Sequence, residues 1–443
     1  MNSQPIFNAV DKHIKQNIAP FHMPGHKGVN ILPGWKKAMP YDITELPDTD
    51  SLYEANGVIE LSQQIASHIY KTKRTLYSAG GCTLCIQAML RLVSQNSNKI
   101  IMGRNIHRSA INALALLGID PIWIMPSFDA GYGLPGRINA VDIKKALADN
   151  PDASAVYITS PDYYGCISPI NEISKICKQY NIPLIIDNAH GAHLIFIDKG
   201  KLHPIQNGAD MSADSVHKTL PALTGSALLH INNDKYIDNA QSAMALFGST
   251  SPSYLIMQSL ESAINWANQS DRFTKLIALV DDIKQTAINK GFLLPKGLND
   301  PTRITLDCAA IGMSGYKAAE YFRNNKIEPE MSTQQHVVFI PTPLNTAEHF
   351  IRLKAAIENF PVSASLKNEV YIPILPQKIL SPRHAILSQC QRIDTISSQG
   401  RIAAESACPC PPGVPIVMPG EIITHEAVQT LIGYGVLSIL VVK

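Results

Sequence analysis

Asp214-Ser215-Val216-His217-Lys218-Thr219-Leu220 sets one lysine between two small hydroxyl residues, Ser215 and Thr219, and beside a histidine. Pro221, Gly225 and the apolar run Ala227 to Ile231 follow, which predicts a loop around Lys218 and a buried strand after it. Upstream, Ile182-Pro183-Leu184-Ile185-Ile186 reads as a short buried strand that ends on a carboxylate, Asp187. A loop lysine and an aspartate at the end of a buried strand are what pyridoxal phosphate (PLP) chemistry requires. The lysine holds the coenzyme as a Schiff base, and the carboxylate keeps the pyridine nitrogen protonated. The pair is equally compatible with a strand end and a loop lysine that have nothing to do with each other, so the rest of the chain has to decide.

Composition narrows the class. At 443 residues the chain exceeds one compact core, and two domains are expected. Hydrophobic content of 45% against 17% charged residues describes a globular protein with ample material to bury. A net charge of +2 gives no electrostatic reason to bind nucleic acid or an anionic membrane. No apolar run is long enough to span a bilayer, and Met1-Asn2-Ser3-Gln4-Pro5 does not read as a signal peptide, so a cytoplasmic location is expected. Among the 8 cysteines, Cys82-x-x-Cys85 and Cys408-x-Cys410 have zinc-like spacing. Cys85 opens an apolar helical stretch, however, and Cys408 and Cys410 alternate with Pro409, Pro411 and Pro412; free thiols and no metal site are expected. His22-x-x-x-His26 matches a zinc helix by spacing, but Pro24 and Gly25 oppose a helix there.

Residues 1–56 show little periodicity and are expected to form an irregular arm, serving as a lid or a subunit contact. From residue 57 helical and strand patterns alternate. Val58 to Tyr70 reads as a helix and Arg74 to Tyr77 as a strand, and Ala79-Gly80-Gly81-Cys82-Thr83 leads into the next helix. Glycines opening a helix after a strand form an anion cradle, where backbone N–H groups and about half a positive charge from the helix end face the ligand. No Lys-Ser/Thr follows, so it is not a nucleotide-binding loop. His107 falls where a strand (Lys99 to Met102) gives way to a helix, the edge of an α/β sheet at which ligands bind, although helix capping explains such a histidine as well. The strand–loop–helix order implies a largely parallel sheet, with the polar loops 80–83, 104–109, 160–165 and 187–193 at strand ends. A single long helical region is expected to run to about Lys290. A large domain, 57–295, would then give way to a smaller α+β domain, 296–443, that ends in a proline-rich tail.

Together these residues resemble the Orn/Lys/Arg decarboxylase major family of fold type I PLP enzymes. The resemblance rests on seven ordered motifs: Phe21-His22-Met23-Pro24-Gly25-His26-Lys27-Gly28; Asp42-x-Thr44-Glu45-Leu46; Arg104-Asn105-x-His107-x-Ser109; Asp187-x-Ala189-His190-Gly191-Ala192-His193; Ser215-x-His217-Lys218-Thr219; Ser249-Thr250-Ser251-Pro252-Ser253-Tyr254; and Pro411-Pro412-Gly413-x-Pro415 with Pro419-Gly420-Glu421. It implies an aspartate-aminotransferase-type α/β fold and decarboxylation of arginine, lysine or ornithine. By resemblance Lys218 carries the coenzyme, Asp187 meets its ring nitrogen, His107 stacks on the ring and Ala189 packs against the other face. Ser215 and His217 would join Gly81, Cys82 and Thr83 on the phosphate, and His190 would also contact the coenzyme. Thr250 and Ser251 would reach the phosphate of a second subunit, implying a homodimer with shared sites. His26, Tyr164 and Glu421 are substrate candidates, Glu421 for the distal cation. The chain reads as a short form without the response-regulator-like N-terminal domain. It departs from the pattern at Asn188, where glutamate is usual, at Asp162, where a small residue is usual, and at Cys410, often tyrosine. Aminotransferase or other Cα chemistry on the same fold is the alternative, and a metal-dependent hydrolase using His22, His26, Asp187, His190 and His193 is a more distant one.

Overall fold

A computed structural model describes residues 4–30, 33–129, 132–269, 271–366, 375–408 and 413–443. Cys410 and the Pro411-Pro412 pair of the last motif, like the Met1-Asn2-Ser3 leader, lie outside the described residues. The chain forms two compact units, Met1–Val93 with Leu184–Asp271, and Ser94–Pro183 with Arg272–Lys443.

In the first unit, strand Leu184–Asp187 pairs in parallel with Met211–Ser215, with Asp187 opposite Ala213. Met211–Ser215 pairs antiparallel with Ala227–Ile231, which pairs antiparallel with Arg74–Ser78. Two reversals restore the original direction. Arg74–Ser78, Met211–Ser215 and Leu184–Asp187 therefore end at one edge, and Ala227 lies opposite both Ser78 and Ser215. The strands are buried along nearly their whole length, as apolar runs covered on both faces should be. Helices Val58–Tyr70 and Gly81–Val93 supply the cover. The long helical region expected from Phe247–Tyr254 to about Lys290 is two helices, Tyr254–Ala267 and Arg272–Lys290, with a break at Asn268, and a further helix, Ile237–Phe247, precedes it.

The N-terminal arm also differs from expectation. Pro5–Lys15 is a helix that buries Ile6 and Val10. No side chain of its own caps it; the buried Glu261 carboxylate accepts hydrogen bonds from Ile6 N and Phe7 N, both at 3.1 Å. A carboxylate at a helix N-terminus satisfies orphan N–H groups and complements the dipole.

In the second unit, strands Ala155–Thr159, Lys99–Gly103 and Asp120–Ile124 run parallel in that spatial order. Past residue 300, Ile304–Asp307, His336–Phe339 and Met331–Ser332 form an antiparallel three-stranded sheet. In the described part of the tail, Cys390–Asp394 pairs with Ser438–Val442, and helix His425–Gly433 packs Leu431 against a core of Val417, Ile423, Ile439 and Val441. Among the described residues no helix is long and apolar enough to cross a membrane.

The second unit is organised on a buried ion pair. Arg104, 0% exposed, donates Nη1 and Nη2 to the two Glu421 oxygens at 2.6 and 2.7 Å, and Nε to the carbonyl of Pro415 at 3.0 Å. Glu421 Oε2 also accepts Met418 N at 2.8 Å. Breaking a buried pair on one side strands a charge in low dielectric, whereas replacing both partners removes the desolvation cost with the attraction. Glu421→Gln should therefore destabilise the protein by roughly 3–5 kcal/mol, read as a lowered urea midpoint. The double substitution Arg104→Met with Glu421→Met should recover most of that loss. Equal losses in single and double variants would show that the pair is not the organising contact.

Candidate active site

Lys218 does not sit in a loop. Strand Met211–Ser215 runs directly into a short helical turn, Val216–Thr219, that carries His217 and Lys218. The turn is held by Leu220 N to Val216 O at 2.9 Å and by His217 Nδ1 donating to Ser226 O at 2.9 Å. Lys218 is half-buried, and its Nζ lies 3.1 Å from His190 Nε2. His190 is carried by the segment after strand Leu184–Asp187, so the parallel register brings it to the same edge as Lys218. Asp187, 1% exposed, ends that strand, and its Oδ1 accepts Ala189 N at 3.1 Å.

The anion cradle lies on this edge too. Gly81 has φ +70°, which a side chain would strain, and its N–H donates to Gly225 O at 2.7 Å. Cys82 is buried with its thiol on Ser215, and burial pushes that thiol well above its ordinary pKa, so its contribution to an anion site is its backbone N–H. Thr83 is exposed at the first turn of helix Gly81–Val93. Beside the lysine turn, the buried hydroxyls Thr219 Oγ1 and Ser226 Oγ have no hydrogen-bond partner. An amine, a buried carboxylate, spare hydroxyls and a glycine-opened helix end form a donor set that suits PLP. Thr250 and Ser251 are exposed between helices Ile237–Phe247 and Tyr254–Ala267. His26 Nε2 lies 3.2 Å from Asp42 Oδ2, and its Nδ1 accepts Gly28 N at 3.0 Å.

The other predicted residues belong to the second unit. His107 caps helix Arg108–Leu117, its Nδ1 accepting Ser109 N at 3.1 Å, and its ring is exposed. Tyr164 is buried in an apolar cluster with Tyr132, Leu134 and Val338. Glu421 is neutralised by Arg104 and has no oxygen without a donor, which removes it as a receptor for a substrate cation.

Two features went unread in the sequence. The first is Arg104, a motif residue whose role becomes visible only with its partner 317 positions away. The second is Asp162. Its Oδ1 accepts Tyr164 N at 2.9 Å and Cys166 N at 2.8 Å, while its Oδ2 is buried with no hydrogen-bond partner. Burial pushes this carboxyl up to about 7, against those amides and the Arg303 guanidinium. Close by, Gly165 has φ +97°, and a Cβ there would come within 2.8 Å of the Arg303 side chain.

A raised carboxyl pKa means that the folded protein keeps a proton which the unfolded chain releases. Stability therefore falls as pH rises from the ordinary carboxylate range to about 7, and is flat above it. Asp162→Asn retains the accepting oxygen and cannot ionise. Its unfolding midpoint should gain on wild type across that window, by on the order of 2–4 kcal/mol; a difference independent of pH would contradict the assignment.

Comparison with known proteins accords with this geometry. The profile "Orn/Lys/Arg decarboxylase, major domain" matches residues 4–290, and "Orn/Lys/Arg decarboxylase, C-terminal domain" matches 364–435. The arginine decarboxylase of Bacillus anthracis is 30% identical over 96% of this chain and 92% of its own length, and that of Bacillus subtilis is 29% identical over the same shares. The crystal structure of the Francisella novicida lysine decarboxylase superposes with a TM-score of 0.86 over 99% of this chain and 81% of its own, at 19% identity. The constitutive lysine decarboxylase of Escherichia coli gives 0.81 over 99% and 82%, at 18% identity; at such identities both speak for the fold. With the mixed α/β sheets and the strand-end site in place, the chain belongs to the Orn/Lys/Arg decarboxylase family and is a PLP-dependent amino-acid decarboxylase of fold type I.

Proposed function

We propose that this chain removes the α-carboxyl group of a basic amino acid, arginine before lysine or ornithine, using PLP held on Lys218. The supporting observation is the 3.1 Å approach of Lys218 Nζ to His190 Nε2 at the sheet edge where Asp187 ends the adjacent strand. Arginine leads because relatives named arginine decarboxylase match at 30% and 29% identity along 96% of the chain. Its product, agmatine, would feed polyamine metabolism in the cytoplasm.

When bound, PLP supplies an aldehyde for the substrate amine and a ring that takes up the electron pair left at Cα as CO2 departs. The chain's own residues do the rest. Lys218 must be neutral to hold an aldehyde, and His190 Nε2 is within reach to take the ammonium proton and return it. Asp187 would keep a proton on the ring nitrogen through a charge-assisted hydrogen bond, with its rotamer set by the Ala189 amide. The N–H groups of Gly81, Cys82 and Thr83, with Ser215 and His217, would take the phosphate. The resemblance to the family pattern would give His107 the ring-stacking role and the return of a proton to Cα. Thr250 and Ser251 would serve the phosphate of a second subunit, making a homodimer the working form. His26 would contact the substrate. The arm (1–56), coenzyme domain (57–295) and C-terminal domain (296–443) belong to the same proposal.

The test is to incubate PLP-loaded enzyme with arginine, lysine or ornithine and to measure CO2 and the matching amine. Arginine should give the highest kcat/KM. Lys218→Ala should lower turnover by at least about 10³-fold and abolish the visible absorption of the bound coenzyme. A keto acid in place of CO2, or undiminished turnover in that variant, would refute the proposal.

A further inference from the structure

Beneath the Lys218 strand lies a polar cluster that the proposed chemistry does not use. His203, Asp214 and His230 are all fully buried, and one nitrogen from each histidine and one Asp214 oxygen lie within 4.8 Å of one another. His203 Nε2 is 2.9 Å from Asp214 Oδ2, and His230 Nε2 is 3.6 Å from the same oxygen. The side-chain amide of Asn188, also buried, stands 3.3 Å from His203 Nε2.

Protons alone do not satisfy this arrangement. His203 Nε2 faces an acceptor, Asp214 Oδ2, and a donor, Asn188 Nδ2, so neither tautomer suits both neighbours. His230 Nε2 is buried, meets Asp214 beyond hydrogen-bond range and has no hydrogen-bond partner; Asn188 Oδ1 and His203 Nδ1 have none either. Turning the Asn188 amide over brings its oxygen into the cluster, since the O and N of an amide are interchangeable in shape. Two imidazole nitrogens and the Asp214 oxygen then lie within 4.8 Å of one another, with the amide oxygen 3.3 Å from His203 Nε2. Ligands at zinc distances in a tetrahedral set lie about 3.3 Å apart, and the separations here are 2.9, 3.3 and 3.6 Å.

An outer layer is built as well. Thr75 Oγ1 lies 2.9 Å from His230 Nδ1 and 2.8 Å from Thr72 Oγ1, an arrangement that lets it accept from Nδ1–H and leave the Nε2 lone pair pointing inward. Ser212 Oγ donates to Asp214 Oδ1 at 3.1 Å, which leaves Oδ2 for the centre. The Tyr70 ring stacks on His230, centroids 4.3 Å apart. A hydrogen-bonded imidazole, here His230, and a hydrogen-bonded carboxylate, closed off by an aromatic ring, are how proteins orient metal ligands.

We propose that His203 Nε2, Asp214 Oδ2 and His230 Nε2, completed by Asn188, bind a tetrahedral divalent transition-metal ion of the zinc class in a closed structural site. The mixed nitrogen and oxygen donors exclude a calcium-type site. This runs against the absence of a metal expected from the cysteine spacings, and it does not depend on the decarboxylase chemistry. The ion would tie the end of strand Met211–Ser215 to its neighbours and be acquired on folding.

The test is elemental analysis of PLP-loaded enzyme produced in zinc-supplemented medium and dialysed against metal-free buffer. About one zinc per chain is expected, released to a chromophoric chelator only on denaturation. His203→Gln with His230→Gln should lose that metal while still binding coenzyme. Should the double variant fail to fold, cobalt-grown wild type decides, because tetrahedral cobalt gives an intense visible d–d spectrum apart from the coenzyme band. Substoichiometric zinc in wild type, metal retained equally by a folded double variant, or cobalt-grown protein without the tetrahedral spectrum would each overturn the site.

Discussion

The parallel register that sets Asp187 opposite Ala213 governs the chemistry of the first unit. Side chains on paired parallel strands advance together, so two strands that end side by side deliver the residues after them to one edge. Asp187 and the segment with Ala189 and His190 come off one strand, and Ser215 with the Lys218 turn comes off the other. A slip of one residue would turn the buried aspartate to the opposite face and carry His190 away from Lys218. The antiparallel strand Ala227–Ile231 works in the same direction, because Ala227 stands opposite both Ser78 and Ser215 and so holds the Gly81 helix end at that edge.

The fold was legible wherever a local pattern determines local structure. Val58–Tyr70 and Ala227–Ile231 have the bounds their apolar spacing indicates, because each buries a face on adjacent layers and carries its own termination signals. Where the determining contact is remote, the pattern is silent. Helix Pro5–Lys15 is capped by Glu261, whose contacts with Ile6 and Phe7 span more than 250 positions, so nothing within the arm announces it. The Lys218 turn was read as a loop because Pro221 and Gly225 follow closely, yet four residues suffice for one helical turn.

The candidate site divides in the same way. That Lys218 follows a strand and that Asp187 ends one can be read from sequence, since hydrophobic runs and turn residues mark strand ends. The 3.1 Å contact between His190 and Lys218 cannot, because it depends on the register between two strands. Glu421 went furthest astray. The family resemblance implies contact with a substrate's distal cation, and the cation it meets is the chain's own Arg104.

That outcome constrains how the chain can recognise a basic substrate. A carboxylate can hold a ligand's cation only if it is not already balanced, and the buried carboxylates of this protein are mostly engaged. Glu421 is balanced by a guanidinium, Glu261 by backbone amides and a serine hydroxyl, and Asp214 by imidazoles. Asp162 evades the cost by holding a proton up to about pH 7. Each arrangement is a different solution to the same desolvation penalty, and none leaves charge to spend on a guanidinium or ammonium from outside. Asp42 differs from these, since His26 meets it at 3.2 Å while the carboxylate stays partly solvated.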